Sequence, residues 1–307
     1  MFRSVRFTGE DLNMKHILQV MIGVVLLVMQ PTFAADAPTL HWVGCGISKK
    51  AYMGELAKAY EKRTGVKIDI QGGGATRGIR DVASVTADIG GSCRNRIWGD
   101  AEEQGVTMVP VAWDALAVIV HQDNPVEDIT LEDLRKVYLG EIRNWKELGG
   151  PDRPILLYAR DGKISGVGRT IRKLLFADYD QQFAASEIFP STGPLEKKLL
   201  SETAAIAMTG ISSARKRDVK ILKLEGKYPT YENVKNGDYL LYRPLYLVYN
   251  ENNPNVAAIN GFIKLADSEE GQEIIRANGT VPYLEAMNLM GRKLAETKSA
   301  RREGGLH

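Results

Sequence analysis

Ile70-Gln-Gly-Gly-Gly-Ala-Thr-Arg-Gly-Ile-Arg80, followed closely by Ala87-Asp-Ile-Gly-Gly-Ser-Cys-Arg94, is the stretch whose reading decides the fold. Val66-Lys-Ile-Asp-Ile70 alternates apolar and polar residues, the pattern of a strand. Three glycines then open onto a short helix, and Thr86-Ala-Asp-Ile89 predicts a second strand ending on Gly90-Gly91-Ser92. Glycine lets the main chain approach a ligand closely, and free N–H groups at a helix start attract an anion. Two such turns in one unit predict a cradle for an oxyanion.

The same alternation of strand and helix extends outward on both sides, which predicts an α/β fold. His41-Trp-Val-Gly44 reads as a strand leading into Cys45-Gly-Ile-Ser48, and residues 50–63 read as a helix with Tyr52, Leu56, Ala59 and Tyr60 on one face. Leu116-Ala-Val-Ile-Val120 is a continuous apolar run, typical of a strand buried on both faces. Thr130 with Asp133 resembles a capping box that starts a helix through Tyr138. Further on, Pro154-Ile-Leu-Leu-Tyr158 predicts a strand ending at Arg160-Asp161, and a helix is expected from about Arg169 to Phe176. Ser191-Thr192 precedes a helix to Leu200, and Leu245-Tyr-Leu-Val-Tyr249 is a return strand. Apolar strands at 116–120 and 245–249 predict two crossings between two lobes. Residues 35–117 plus 245–307 would form the first lobe and 118–244 the second.

The beginning of the chain reads as an export signal. Met14-Lys15-His16 precedes an apolar run over 17–29 and then Pro31-Thr-Phe-Ala-Ala35, which predicts cleavage between Ala34 and Ala35, with Met14 an alternative start. No cysteine stands at that junction, so a lipid anchor is not expected. Lys and Arg number 40 against 38 Asp and Glu, and a net charge of +2 argues against nucleic acid as a partner. The basic residues from Arg292 to Arg302 are diluted by Glu296 and read as a solvated tail.

Enzyme chemistry finds little support. Past the leader the histidines are His41, His121 and His307, with no His-Glu-x-x-His, no Gly-x-Ser-x-Gly and no complete phosphate-binding loop with its lysine. Gly44-Cys-Gly46-Ile-Ser-Lys49 approaches a dinucleotide fingerprint but lacks its third glycine. Neither a metal nor a cofactor is expected. The two cysteines, Cys45 and Cys93, each follow a strand at a glycine-rich turn, and a disulfide between them and a pair of free thiols are both compatible with the sequence. Four segments supply donors at strand-to-helix turns: Gly46 to Ser48, Gly73 to Arg77, Gly91 to Ser92, and Arg160 with Ser165-Gly166. Backbone N–H groups, hydroxyls and a guanidinium together replace the hydration shell of a tetrahedral anion.

Taken together, Gly72-Gly-Gly-Ala-Thr-Arg-Gly-Ile79, Ala87-Asp-Ile-Gly-Gly-Ser92, Asp123 to Leu134, Gly140 to Pro151, Arg160-Asp161 with Ser165-Gly166, and Arg243-Pro-Leu-Tyr-Leu247 resemble the phosphate-binding proteins of ABC importers, in the periplasmic-binding-protein-like superfamily. The resemblance implies a two-lobed, type II-like fold with a ligand cleft between the lobes and no catalysis. It implies a soluble periplasmic monomer that binds phosphate or a related oxyanion and meets an inner-membrane ABC permease. A secreted signalling or interaction protein of the same fold is the alternative. Residue by residue it carries Ser48, Ser92, Arg160, Ser165 and Gly166 to the ligand, with Asp161 as acceptor for the proton of hydrogen phosphate; Gly46, Ile47, Thr76 and Arg77 are further candidates. The chain departs from the family pattern where Cys45-Gly-Ile47 replaces a Gly-Ser-Thr, where Cys93 replaces a serine or aspartate, and where Val167 replaces a threonine.

Overall fold

The computed structural model describes residues 38–160 and 162–292. The leader read over 1–34, Asp161 and the tail beyond Arg292 lie outside the described residues. Strand β1 (Thr39–Gly44) pairs in parallel with β2 (Lys67–Gly72) on one side and β3 (Ile89–Ser92) on the other. Between β1 and β2 run α1 (Gly46–Ser48), a π-helical turn (Lys49–Met53) and α2 (Gly54–Thr64), which Gly65 closes in the left-handed conformation at φ 76°. The expected apolar face holds: Tyr52, Leu56 and Tyr60 are buried and Ala59 packs against them. Helix α3 (Gly74–Ala83) joins β2 to β3.

The expected strand at 86–89 is corrected. Val85 takes a positive φ of 59°, and the N–H groups of Thr86 and Ala87 both bond the Asp81 carbonyl, at 2.8 and 3.0 Å, so the chain is still turning there. Strand β3 is instead the sequence Ile-Gly-Gly-Ser itself. A β-carbon on Gly90 would overlap the Gly78 carbonyl of α3, and one on Gly91 would overlap the Trp42 ring of β1. These glycines let helix and sheet pack close.

Strand β4 (Thr107–Val120) is the spine of the molecule. From Thr107 to Ala115 it pairs with the antiparallel return strand β11 (Tyr242–Tyr249), and from Leu116 to Val120 with β8 (Ala205–Gly210). Beyond β8 lie β6 (Leu156–Arg160) and β7 (Glu187–Phe189), both parallel to β8, so the path across the sheet is β2-β1-β3-β11-β4-β8-β6-β7. The short strands β9 (Lys220–Ile221) and β12 (Val281–Pro282) pair with β4, while β5 (Asp128–Ile129) and β10 (Lys223–Leu224) form a separate ladder. The run Leu116–Val120 is fully buried, as its composition predicts.

Helix α4 (Leu131–Leu139) begins where expected, with the Thr130 hydroxyl accepting the Asp133 N–H at 3.0 Å. Helix α5 (Gly166–Ile171) starts three residues before the expected Arg169, because the Ser165 hydroxyl accepts the Gly168 N–H at 3.1 Å and fixes the N-cap there. It runs on as a π-helical turn to Phe176. The remaining helices are α6 (Thr192–Leu199), α7 (Ile211–Ala214), α8 (Tyr231–Asn236), α9 (Val256–Asp267) and α10 (Glu269–Ala277). Among the described residues no helix is long and apolar enough to cross a membrane.

Candidate functional site

The carboxyl ends of parallel strands from both halves of the sheet open onto one cavity of about 590 Å³. Its wall is made by the strand ends and the turns that follow them: Cys45-Gly-Ile47 after β1, Gly72 to Thr76 after β2, Cys93 after β3, Arg160, Gly162 and Ile164 to Val167 after β6, and Pro190 to Gly193 after β7. In open α/β sheets this is where ligands bind.

Each turn is set by local geometry. Cys45 caps α1: its backbone N–H is held by the Gly91 carbonyl at 3.0 Å, and its sulfur accepts the Ser48 N–H at 3.3 Å. Gly46 faces open space. Gly74 sits at φ +85°, a conformation that L side chains rarely adopt, and lets the chain bend into α3. Thr76 then donates to the Ile164 carbonyl at 2.9 Å, joining the β2 turn to the β6 turn. Arg160 is buried and its Nη1 donates to the Phe189 carbonyl, so its guanidinium is oriented by β7. Gly166 is a close-contact position, since a β-carbon there would overlap the Cys93 sulfur.

Of the residues expected from sequence, Gly46, Ile47, Thr76, Arg160, Ser165 and Gly166 are brought together on the cavity wall with Cys45 and Cys93. Ser48, Ser92 and Arg77 are not on it, and the reasons are local. The Ser48 hydroxyl is buried and lies 3.0 Å from the Cys45 sulfur. The Ser92 hydroxyl turns onto its own strand end, donating to the Arg94 carbonyl at 2.7 Å and accepting the Arg94 N–H at 3.2 Å. Arg77 extends along α3 to Asp81, with Nε at 2.9 Å from the carboxylate. The placement of Asp161 is outside the described residues.

The wall also carries residues that the sequence did not single out: Lys50, Ser191, Thr192, Ser213 and Arg217. Lys50, Ser213 and Arg217 gather around Glu196, which is completely buried on α6. Lys50 Nζ reaches Glu196 at 3.2 Å and the Ser213 hydroxyl at 2.6 Å, Arg217 Nε reaches Glu196 at 3.0 Å, and Thr209 donates to it at 2.7 Å. Lys50 belongs to the turn after β1, whereas the others come from the half beyond β4, so this cluster ties one side of the cavity to the other. Arg94 does the same on the opposite rim. Its fork is fixed by buried Glu103 at 2.5 and 2.9 Å, while Nε donates to the Ile164 carbonyl at 2.8 Å. The contacts that cross the cavity, Lys50 to Glu196 and Arg94 to Ile164, join residues 146 and 70 positions apart. The one visible signal was the lysine pair Lys49-Lys50, in which helical spacing does not tell which member faces inward.

Electrostatically the wall is cationic. Lys50, Arg160 and Arg217 line it, and no Asp or Glu does so among the described residues. Behind it Arg243 is buried against Asp114 at 3.2 Å and donates to the Gly166 carbonyl at 3.4 Å. Burial pushes the Asp114 carboxyl up against the opposing pull of Arg243. Cys45 and Cys93 are free buried thiols rather than a bridge, with their side chains hydrogen-bonded to each other. Burial pushes the Cys45 thiol up, but the hydrogen bonds from Cys93 and Ser48 and the Arg243 charge outweigh it and bring it down to about 6. The Cys93 thiol is held well above its usual range, first by that bond to Cys45 and then by burial. Among the described residues no group of three or more His, Cys, Asp and Glu is placed to hold a metal ion. Main-chain N–H groups, a hydroxyl and cationic side chains around one cavity suit a small anion with several oxygens.

Comparison with known proteins agrees with this geometry. A family described as the PBP superfamily domain matches residues 35–270. The phosphate-binding protein PstS of Borreliella burgdorferi is 28% identical over 246 residues, covering 77% of this chain and 88% of that protein. A structure from Clostridium perfringens, described as a phosphate ABC transporter substrate-binding protein with bound phosphate, is 30% identical, covers 80% of this chain and 99% of its own, and superposes with a TM-score of 0.74. An ABC-type phosphate transport receptor from Vibrio cholerae is 26% identical, covers 79% and 99%, and has a TM-score of 0.61.

Proposed function

The chain belongs to the PBP superfamily, and we propose that it captures inorganic phosphate in the cavity and delivers it to an ABC importer. The observation that carries this reading is a wall with Lys50, Arg160 and Arg217 and no carboxylate among its described residues. The likeness to relatives named for phosphate binding supports the choice of anion. The protein acts by binding and release rather than by catalysis. In this reading it works as a monomer in the periplasm, exported by the leader, and meets its permease when closed on the ligand.

The halves that close are residues 35–117 plus 245–307 and residues 118–244. Support comes from β4, whose partner changes between Ala115 and Leu116, and from the Leu241 carbonyl, which accepts the Leu116 N–H at 2.8 Å where the chain returns. Arg160 holds the anion's oxygens, Ser165 and the N–H groups around Gly46 and Gly166 supply further donors, and Asp161 accepts the proton of hydrogen phosphate. Sulfate brings no such proton at neutral pH, so a carboxylate there selects against it.

Titration calorimetry with phosphate is the test. Binding is expected, and Arg160→Ala should weaken it by roughly 30-fold, the loss of about 2 kcal/mol from a charge-assisted pair. The reading fails if neither phosphate nor sulfate, arsenate or molybdate gives heat. One observation favours a second reading, a secreted interaction protein with weak anion binding: the Ser48 and Ser92 hydroxyls are engaged inside the protein. That outcome would show as a folded protein silent to every anion.

A further inference from the structure

The turn after β1 holds Cys45 and the turn after β3 holds Cys93, both on the cavity wall, on neighbouring strands in which Gly44 is paired with Gly91. Their side chains interact with each other. The groups facing this pair come from every surrounding element. The Ser48 N–H donates to the Cys45 sulfur and its hydroxyl lies 3.0 Å from it, while Gly166 of α5 presses on Cys93. From β11 and β4 the buried Arg243–Asp114 pair approaches from behind.

We propose that Cys45 and Cys93 are an oxidisable dithiol whose conversion to a disulfide tightens the binding of the oxyanion. The gain in affinity rests on the reading of the cavity as an anion site; formation of the bridge does not. The oxidant is a hydroperoxide small enough to enter the cavity. The Cys45 thiolate attacks one oxygen of hydrogen peroxide, forming an S–O bond as the O–O bond breaks, and the departing hydroxide takes a proton to become water. The Cys93 thiol then attacks the Cys45 sulfur and loses its proton. An S–S bond forms, the S–O bond breaks, and the oxygen leaves as a second water. Sulfur is oxidised by two electrons and peroxide oxygen is reduced by two.

The consequence for the ligand is electrostatic. Against the push of burial, the hydrogen bonds from Cys93 and Ser48 and the Arg243 charge pull the Cys45 thiol down towards its anionic form. The thiolate charge stands beside the place of an anion, and like charges in a partly buried site repel strongly. The disulfide is neutral, so oxidation removes the repulsion and leaves the Arg243 charge uncompensated by sulfur.

The experiment compares the full protein kept in reductant with the same protein treated with hydrogen peroxide and then freed of it. Intact mass reads the loss of two hydrogens, alkylation reads the remaining thiols, and calorimetry reads inorganic phosphate. Oxidation should tighten phosphate binding by roughly tenfold or more, as expected for removing one neighbouring like charge. Cys93→Ser should stop the chemistry at the first step, so that intact mass shows one oxygen added at Cys45 in place of the loss of two hydrogens, and Cys45→Ser should bind as the oxidised form does even in reductant. Equal affinity in the two states with the bridge formed overturns the proposal. So does a folded, peroxide-treated protein in which both thiols still alkylate. No phosphate heat in either state, with the bridge shown by mass, overturns the anion reading and takes the affinity claim with it.

Discussion

Gly72-Gly73-Gly74 and Gly90-Gly91 look alike in sequence and do opposite things. At Gly72 a β-carbon would meet nothing, and at Gly74 nothing either, although φ +85° is costly for a side chain; both line the cavity. Gly90 and Gly91 are fully inside β3, where any β-carbon collides with α3 or with Trp42. Gly72 and Gly74 are open so that something else can approach, while a β-carbon on Gly73 would meet only the flexible Arg77 side chain, at 2.6 Å. The second group is glycine because the protein itself has already taken the space. A run of glycine at a strand end therefore signals close approach without saying whether the approaching body is a ligand or a helix.

This contrast can be broken by substitution. Gly91→Ala should cost the most, about 3 kcal/mol of stability in urea unfolding, because the overlap is with a fully buried indole in a packed core. A loss under about 1 kcal/mol would mean that Trp42 moves freely, and the packing account of β3 would fall. Gly74→Ala should cost roughly 1 kcal/mol through its left-handed backbone alone. Smallest of all, Gly72→Ala should change stability by less than about 0.5 kcal/mol, since its β-carbon meets open space. Its effect belongs in the binding assay: phosphate heat should fall while the melting temperature holds. If Gly72→Ala destabilised the fold as much as Gly91→Ala, the two groups would not differ in kind.

The sequence carried the architecture because strand and helix periods are local and strong. The Leu116–Val120 run, the Thr130 cap and the return strand near 245–249 all appear where their patterns place them. The site was legible only in outline. The turns after β1, β2 and β6 do converge, and Arg160 is on the wall. Ser48 and Ser92 illustrate what spacing does not reveal. A hydroxyl takes the nearest partner that the folded chain offers, here the Cys45 sulfur and the Arg94 carbonyl, and that choice has no sequence period. The Lys50–Glu196–Arg217 cluster escaped for a different reason: its members are brought together by the fold across 146 and 21 positions.

One last consequence follows from β4. Because a single 14-residue strand is hydrogen-bonded to β11 along its first part and to β8 along its last, neither half owns its central strand alone. Melting either half strips backbone partners from the other. The molecule should therefore show one calorimetric endotherm instead of two, and neither fragment expressed by itself should give a cooperative transition.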